Sequence, residues 1–381
     1  MPKTTYFDNA ATTFPKPEDV YTFSDNFFRG CGVNVGRGQY KLADEAAALV
    51  AETRKLLLEL NHCPEKQIVF TSTATIALNT ILRGIDLIDD SNVYVTPFEH
   101  NAVMRVLRYI SKTVRLNIIQ LDFDKSNFVY DLEKIKYQFA DSPPNLVVMT
   151  HASNVCGVVA PIAEISQIAK KHNAVTVVDM CQTMGLIDTD ISRIDYAVFA
   201  GHKTLYAPFG IAGFISPATS NLAPLIYGGT GIDSSSDDLP ETLPERYEAG
   251  SLNSMAIAGL NASLKWLNKI GIAGIYEAEC RNHSRLLELL SKFDNIKIIP
   301  QGQNAIGVVS CVFEGYSSDN IGQILSEKNI AVRTGLHCSP EAHKFLGTFP
   351  SGTVRFSVSF FNVEEDFKLL DKVLAYIQDN S

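Results

Sequence analysis

The stretch of sequence that decides the fold is "AVTVVDMCQTMGLIDTDISRIDYAVFAGHK", residues 174–203. It contains two short, almost continuously apolar runs, at 174–178 and 196–200, and polar or glycine-containing residues follow each run. Such runs are typical of strands that are buried on both faces of a parallel sheet. Asp179 follows the first run and Lys203 the second, 203 − 179 = 24 residues later. This spacing predicts one helix and one strand between the two residues.

The same pattern extends through most of the first two thirds of the chain. Two further runs, "NLVVMTHAS" at 145–153 and "IAGFIS" at 211–216, are also predicted to be buried strands. Upstream, from about residue 44, a helical stretch, the strand "QIVFT", a helix from Thr75 and the strand "NVYVTP" alternate. We therefore expect an α/β fold with a mainly parallel sheet that is covered by helices.

The length of 381 residues predicts two domains. In the last third, the strands "NIKIIP", "GVVSCVF" and "TVRFSVS" alternate with helices, which predicts a smaller α+β domain. The polar, glycine-containing and proline-containing segment "GGTGIDSSSDDLPETLPE" is predicted to be a long surface loop. We expect the large domain at 14–256 and the small domain at 1–13 and 257–381, with Cys338 in a loop before the last strand.

Composition and charge argue against several classes of protein. The net charge of −9 without a long run of Lys or Arg argues against a nucleic-acid partner and favours a small-molecule ligand. No run of 18 apolar residues occurs, and the start "MPKTTYFDNAATT" has no apolar core of a signal peptide, so we expect a cytoplasmic protein without a membrane span. Seven cysteines without a CxxC pair fit neither a disulfide framework nor a zinc site, and we expect no metal.

Ligands of parallel sheets bind at the carboxyl ends of the strands, where Asp179 and Lys203 are predicted to face one crevice. These two residues form either a structural ion pair or part of a pyridoxal phosphate (PLP) site. A PLP site needs a lysine, a carboxylate for the pyridinium nitrogen, a flat stacking group and phosphate donors. His100 is a candidate for stacking, and "TSTAT" at 71–75 and His202 are candidates for phosphate binding.

Taken in order, the motifs resemble those of the cysteine desulfurases and selenocysteine lyases, which are PLP enzymes of the class V aminotransferase group. The resemblance covers nearly the whole chain and rests on "YFDNAATT", "EHNA", "THASNVCG", "VDMCQ", "GHK", "RYEAGSLN", "RTGLHC" and "TVRFS". It implies PLP fold type I, in which the large domain has a mainly parallel seven-stranded sheet.

The resemblance implies a role for each residue around the cofactor ring. Lys203 would form the Schiff base with PLP, and Asp179 would pair with the pyridine nitrogen. Gln182 and Asn154 would contact the phenolic oxygen. His100 would stack on the ring and, with Lys203, take part in catalysis.

The resemblance likewise implies the phosphate site. Thr75, the backbone of Ala74 and His202 would hold the phosphate. Ser251 of "EAGS" would reach the same phosphate from the second subunit of a homodimer, so that the site is shared across an interface.

For the substrate, L-cysteine or L-selenocysteine, the resemblance implies that Arg355 binds the carboxylate. An arginine suits this task because its planar fork meets a carboxylate bidentately. Asn9 and Ala10 would assist, and Arg37 would contact the substrate as well.

Cys338 would be the catalytic nucleophile that takes the sulfur as a persulfide, on a mobile loop flanked by glycine and proline. A free thiol is mostly protonated at neutral pH, and His337 and Arg333 are candidates to favour the thiolate. Cys338 and Arg355 are 355 − 338 = 17 residues apart, which resembles the short-loop, SufS-like branch. Members of that branch pass sulfur to a dedicated acceptor protein, and iron–sulfur cluster or thio-cofactor synthesis is the expected use.

The sequence departs from the SufS-like pattern at four positions. Ala200 stands where relatives have a phosphate-binding serine, Ile76 where they often have glutamate and Gly36 where they often have histidine. Cys181 lies next to the expected cofactor, either as a second reactive thiol or as a small packing residue.

Alternative functions remain open at the level of sequence. One is selenocysteine lyase, and another is a class V transaminase, epimerase or β-lyase that uses Lys203 and Arg355 but not the thiol. A third is a PLP-binding protein without catalysis. We expect cysteine desulfurase activity, because "RTGLHC" supplies the thiol that the other reactions do not need.

Overall fold

The computed structural model describes residues 4–35, 38–231 and 235–380. Its strands are β1 (Thr5–Tyr6), β2 (Gln67–Thr71), β3 (Ser91–Val95), β4 (Leu116–Gln120), β5 (Phe123–Asp124), β6 (Val129–Tyr130), β7 (Leu146–Thr150), β8 (Val175–Asp179), β9 (Tyr196–Ala200), β10 (Ala212–Ser216), β11 (Ile296–Ile298), β12 (Val308–Phe313), β13 (Ile330–Ala331), β14 (Arg333–Gly335) and β15 (Thr353–Ser357). Its helices are α1 (Glu18–Cys31), α2 (Lys41–Leu60), α3 (Ala74–Gly84), α4 (Asn101–Ile110), α5 (Leu132–Asp141), α6 (Ile162–Lys170), α7 (Ser254–Ile270), α8 (Ile272–Leu290), α9 (Ser318–Glu327), α10 (Pro340–Leu346) and α11 (Glu364–Asp379).

A seven-stranded sheet in the order β2-β10-β9-β8-β7-β3-β4 forms the centre of the protein. All its strand pairs are parallel except those of β10, which is antiparallel to both β2 and β9. Every residue of β7, β9 and β10 is buried, as expected for apolar strands that helices cover on both faces. The predicted α/β fold class is therefore confirmed, and the carboxyl ends of β7, β8 and β9 meet at one edge of the sheet.

The connection between β8 and β9 differs from the prediction. The spacing of Asp179 and Lys203 suggested a helix between the two strands, but residues 181–186 form consecutive turns and no regular helix follows them. The turns are almost entirely buried, and the hydroxyl of Thr183 contacts Nδ1 of His151 at 2.8 Å. Close packing against the neighbouring strand end leaves little room for a helical crossover here.

A second, antiparallel sheet in the order β11-β12-β15-β14 lies in the C-terminal part of the chain. Strands β11, β12 and β15 correspond to predicted strands, whereas β14 and α10 were not predicted. In the ladder of β14 and β15, Arg333 lies directly opposite Arg355. Strand β1 pairs in parallel with β13, which joins the N-terminal segment to this part of the protein. The domain limits 14–256, and 1–13 with 257–381, stay a prediction.

The core of the smaller part contains a cluster of aromatic rings. The ring of Phe7 packs edge-on against Phe356 and Phe367, with centroids 6.4 and 5.5 Å apart. Residue 7 follows β1, so this packing ties the N-terminal segment to β15 and α11. Among the described residues, no helix is long and apolar enough to cross a membrane.

Glu279 gives the fold a measurable pH dependence. It lies on α8, is only 7% exposed, and burial raises the pKa of its carboxyl to about 8. Between about pH 4.5 and pH 8 the Glu279 carboxyl is protonated in the folded protein but ionised in the unfolded chain. The free energy of unfolding therefore falls as the pH rises through this window. We expect the free energy of unfolding of Glu279→Gln at pH 9 to exceed that of wild type by roughly 2–4 kcal/mol, so that the variant unfolds at a higher temperature. This gain should disappear near pH 4.5.

Thermal unfolding followed by circular dichroism between pH 4.5 and pH 9 measures this difference. Glu277→Gln is the matched control, because Glu277 is an exposed glutamate on the same helix. Melting temperatures of the Glu279→Gln variant and wild type that stay parallel over the whole range would contradict the expectation.

Candidate active site

A cavity of about 270 Å³ lies at the carboxyl ends of β7, β8 and β9, beside the first turns of α3 and α4. The sequence-predicted cofactor residues that line it are Ala74, Thr75, His100, Asn154, Asp179, Gln182, His202 and Lys203. Residues that are up to 129 positions apart in the chain, from Ala74 to Lys203, thus meet in one cavity, since 203 − 74 = 129. Ser251 does not line this cavity.

Asp179 and Lys203 face the same cavity without forming an ion pair. Asp179 ends β8, is 8% exposed, and its Oδ1 accepts the backbone N–H of Cys181 at 2.9 Å. Lys203 follows β9 and is half-buried, and its Nζ makes no hydrogen bond to a described residue. The structural ion pair considered from the sequence is therefore absent, and the amine is available to react.

The ring of His100 is neutral and fixed. His100 caps α4, and its Nδ1 accepts the backbone N–H of Ala102 at 3.0 Å. Burial lowers the pKa of His100 to about 4, against the effect of nearby Asp179. At neutral pH the proton therefore sits on Nε2, and a flat, uncharged imidazole is presented to the cavity.

The other end of the cavity is rich in unused hydrogen-bond donors. Helix α3 begins at Ala74 with Thr73 as its cap, so the first N–H groups of the helix have no acceptor within it. Burial lowers the pKa of His202 to about 3, its Nδ1 is buried without a partner, and its ring stacks on Phe209 at 4.7 Å. Ala200 lines the same cavity without a side-chain donor, as the sequence indicated.

These features fit PLP. The cavity offers a free amine, a carboxylate, a neutral flat ring and unpaired donors at a helix N-terminus, which is the favoured site for phosphate. The residues that would hold the ring are Lys203, Asp179 and His100.

The two amide side chains at the cavity are hydrogen-bonded within the protein. Gln182 Nε2 donates to the carbonyl of Ala10 at 2.8 Å. Asn154 Nδ2 donates to the carbonyl of His337 at 2.7 Å, and Asn154 Oδ1 accepts from the hydroxyl of Ser339 at 2.8 Å. Each amide nitrogen carries a second N–H, so contacts to the phenolic oxygen stay compatible with these bonds. Ser339 was not predicted from the sequence as a partner of Asn154.

Arg355 already holds a carboxylate, that of Asp8. It is 2% exposed on β15, its Nη2 lies 2.8 Å from Asp8 Oδ1, and its Nη1 donates to the carbonyl of Asn154 at 3.0 Å. Its Nε is buried without a partner. Burial lowers the pKa of Arg355, while Asp8 acts in the opposite direction. Sequence reasoning missed Asp8, although it lies within "YFDNAATT".

Four of the other predicted substrate or cofactor residues do not line the cavity or lie outside the described residues. The backbone N–H of Ala10 donates to Ser357 Oγ, and Asn9 Nδ2 donates to the Ser357 carbonyl, both at 2.9 Å. Ser251 lines a separate cavity of about 500 Å³. Arg37 lies outside the described residues, as does Gly36.

Cys338 is the exposed cysteine of the described residues. It lines a groove of about 460 Å³ that shares Thr75, His100 and Ala102 with the cofactor cavity, so the thiol lies at the mouth of that cavity. Arg333 Nη2 lies 3.8 Å from its Sγ.

His337 does not act on the thiol in the way considered from the sequence. It is 4% exposed, its Nε2 contacts the hydroxyl of Thr353 at 2.8 Å, and burial lowers its pKa to about 2. A neutral and very weakly basic imidazole cannot take up the proton of a thiol at neutral pH. Of the two candidates considered from the sequence, Arg333 is the one whose side chain contacts the thiol.

The packing interpretation of Cys181 is favoured over the reactive one. Cys181 lines the cavity but is 6% exposed, and burial raises the pKa of its thiol far above the ordinary value. A thiol that stays protonated is a poor nucleophile.

Known proteins resemble this chain over nearly its whole length. The sequence model of the family Aminotransferase class-V matches residues 5–370. A probable cysteine desulfurase from Methanothermobacter thermautotrophicus is 32% identical over 382 residues, which cover 98% of this chain and 94% of that protein. One from Pyrococcus abyssi is 30% identical and covers 97% of this chain and 93% of that protein. The apo structure of a cysteine desulfurase from Thermococcus onnurineus matches with a TM-score of 0.91 at 28% identity, over 99% of this chain and 95% of that one.

The structural match confirms PLP fold type I, which the motifs implied. The family match spans nearly the whole chain, and the relatives are matched over more than nine tenths of their length. The chain therefore belongs to the class-V aminotransferase family, whose enzymes use pyridoxal phosphate as their cofactor.

Proposed function

We propose that the protein is a cysteine desulfurase, which converts L-cysteine to L-alanine and transfers the sulfur to Cys338. The observation that carries this function is the position of an exposed thiol, beside Arg333, at the mouth of a cavity that holds a free lysine amine. Relatives named cysteine desulfurase or probable cysteine desulfurase support the same reaction. A transaminase or epimerase has no use for a thiol at this place.

Residues of the cavity supply the proton transfers and the binding. When bound, PLP withdraws electrons from Cα of an attached amino acid and leaves the Sγ of cysteine open to thiolate attack. Lys203 Nζ would hold the cofactor and take up the Cα proton, since it has no other partner. Asp179 would keep the ring nitrogen protonated, and the neutral ring of His100 would stack on it.

The sulfur transfer balances as a simple exchange at Cys338. The thiolate attacks Sγ of the substrate, an S–S bond forms and the substrate's Cβ–Sγ bond breaks. The electron pair of the broken bond remains with Cβ, which then gains a proton, so that alanine leaves and a persulfide remains on Cys338. Arg333 would stabilise the negative charge on the attacking sulfur and then on the persulfide.

The substrate carboxylate would be bound by Arg355. Arg355 is buried on β15, an inner strand of the smaller sheet, and its guanidinium already forms a charge-assisted contact with the carboxylate of Asp8. The buried Nε is left without a partner in the protein, so one donor remains for an additional oxygen.

The assembly and the pathway belong to the same proposal. We infer a homodimer in which Ser251 of one subunit reaches the phosphate of the other, since Ser251 does not line the cavity of its own chain. We further infer a cytoplasmic location and a dedicated acceptor protein, as in the short-loop branch of the family. The sulfur would be used for iron–sulfur clusters or thio-cofactors.

The test is release of alanine and sulfide from L-cysteine, with a thiol reductant and PLP-loaded protein. We expect wild type to release both in equal amounts, and Lys203→Ala and Cys338→Ala each to lose at least about 100-fold in rate, because one loses the base and the other the sulfur acceptor. Cys181→Ala is the matched control, since this buried thiol also lines the cavity and should retain activity.

Two outcomes would redirect the assignment. Alanine formation that survives in Cys338→Ala would indicate a class V reaction that does not use the thiol. Cofactor absorbance without any turnover by wild type would indicate a PLP-binding protein without catalysis.

Substitution of Arg355 separates substrate binding from chemistry. A lysine in its place keeps the charge but cannot form the planar fork, so we expect Arg355→Lys to raise KM for L-cysteine by about 10-fold or more, with a smaller effect on kcat. Steady-state alanine formation measures both constants. Arg285→Lys serves as a control, because Arg285 forms an ion pair with Glu364 far from the cavity. An unchanged KM would remove Arg355 from substrate binding.

A further inference from the structure

The backbone around Cys338 adopts a conformation that side-chain-bearing residues rarely take. His337 has φ 47° and Cys338 has φ 58°, so two consecutive residues other than glycine lie in the left-handed region. This region is unfavourable for L-residues with a Cβ atom, and a pair of such residues persists only where the surroundings hold it. The turn lies between β14 and α10, which leaves residues 336–339 as the link.

One amide side chain holds both flanks of Cys338. Asn154 Nδ2 donates to the carbonyl of His337 at 2.7 Å, and the hydroxyl of Ser339 donates to Asn154 Oδ1 at 2.8 Å. Asn154 is 8% exposed and Ser339 is fully buried, so water cannot easily replace either bond. We name this pair, Asn154 and Ser339, the clasp.

The carbonyl of Cys338 is held separately. It accepts the backbone N–H of Asn101 at 2.8 Å, and Asn101 is the first residue of α4, directly after His100. The backbone N–H of Ser339 in turn donates to the carbonyl of Leu336 at 2.8 Å. The main chain of Cys338 is thus fixed on both sides, while its side chain stays exposed.

We propose that the clasp of Asn154 and Ser339 positions Cys338 for sulfur transfer, so that the thiol attacks from a fixed turn rather than from a mobile loop. The catalytic consequence rests on the proposed desulfurase function, whereas the clasp itself does not. With the backbone fixed, the position of Sγ depends on rotation about one side-chain bond. Ser339 is a positioning residue and makes no contact with substrate.

The clasp also connects the turn to the cofactor cavity. Asn154 lines that cavity, and its backbone carbonyl accepts a hydrogen bond from Arg355 Nη1 at 3.0 Å. The same residue therefore touches the cavity, the expected carboxylate-binding arginine and both neighbours of the nucleophile. A shift of Asn154 must move the turn of Cys338 with it.

The first test is Ser339→Ala in the full-length, PLP-loaded protein. It removes the hydroxyl donor and leaves Asn154 Oδ1 unpaired, so we expect amide hydrogen exchange in residues 336–339 to become at least about 10-fold faster. We further expect kcat for alanine formation to fall by about 10-fold while KM for L-cysteine changes by less than about twofold. Ser216→Ala is the matched control, because Ser216 is equally buried but lies at the opposite edge of the central sheet.

Asn154→Asp tests the other bond of the clasp. The aspartate keeps the shape and can still accept from Ser339, but it cannot donate to the carbonyl of His337. We expect a similar acceleration of exchange in residues 336–339, and the double variant with Ser339→Ala to exchange no faster than either single variant, because both bonds hold one turn. Asn154 also lines the cofactor cavity, so its substitution can change activity directly. Amide exchange, not activity, is therefore compared for this variant, both in the PLP-loaded and in the PLP-free protein.

Each outcome decides the proposal. Unchanged exchange in both variants would show that the clasp does not hold the turn. Faster exchange in Ser339→Ala with kcat at the wild-type value would show that the turn can move without loss of sulfur transfer, which overturns the positioning role. If wild type formed no alanine, the proposed function would fall, and the exchange data would still decide whether the clasp exists.

Discussion

The parallel hydrogen-bonded register of β7, β8 and β9 is the constraint on which the site depends. Thr150 pairs with Asp179, and Asp179 with Val198, so the strand ends lie side by side. The end of β7 is fastened by Glu99, whose Oε1 accepts the N–H of Thr150 at 2.7 Å and whose burial raises its pKa to about 7. His100 follows Glu99 directly, so the residue that we expect to stack on the cofactor is tied to the same sheet edge. The positions of the amine, the carboxylate and the imidazole are thus consequences of strand pairing.

The smaller sheet supplies the rest of the site. Strand β15 carries Arg355, β14 carries Arg333, and the turn after β14 carries Cys338. Asn154 bonds to Arg355 and to the turn of Cys338, and the start of α4 bonds to the Cys338 carbonyl, so the thiol is brought to the mouth of the cavity across the boundary between the two sheets. The thiol and the arginine therefore cannot be positioned independently of the central sheet.

Much of the fold could be predicted from the sequence, because strands buried on both faces leave local apolar runs such as 174–178. Asp179 and Lys203 could be found for the same reason, since they directly follow such runs. The turns between β8 and β9, and the short β14 and α10, could not, because tertiary packing decides them. The bonds of Asn154 with Ser339, 185 residues away, and of Arg355 with Asp8, 347 residues away, leave no local pattern. Motif resemblance identified Asn154 and Arg355 but not what they bind within the protein.

The pairing of Arg333 with Arg355 across β14 and β15 has a consequence for charge balance. Side chains directly opposite each other in a ladder lie on one face, where like charges repel. The carboxylate of Asp8 offsets one guanidinium, and the sulfur of Cys338 lies against the other. The negatively charged sulfur of the proposed reaction would offset the second guanidinium, whereas a neutral group attached to the sulfur would not. Blocking the cysteine with an uncharged reagent should therefore loosen the smaller sheet as well as stop the chemistry.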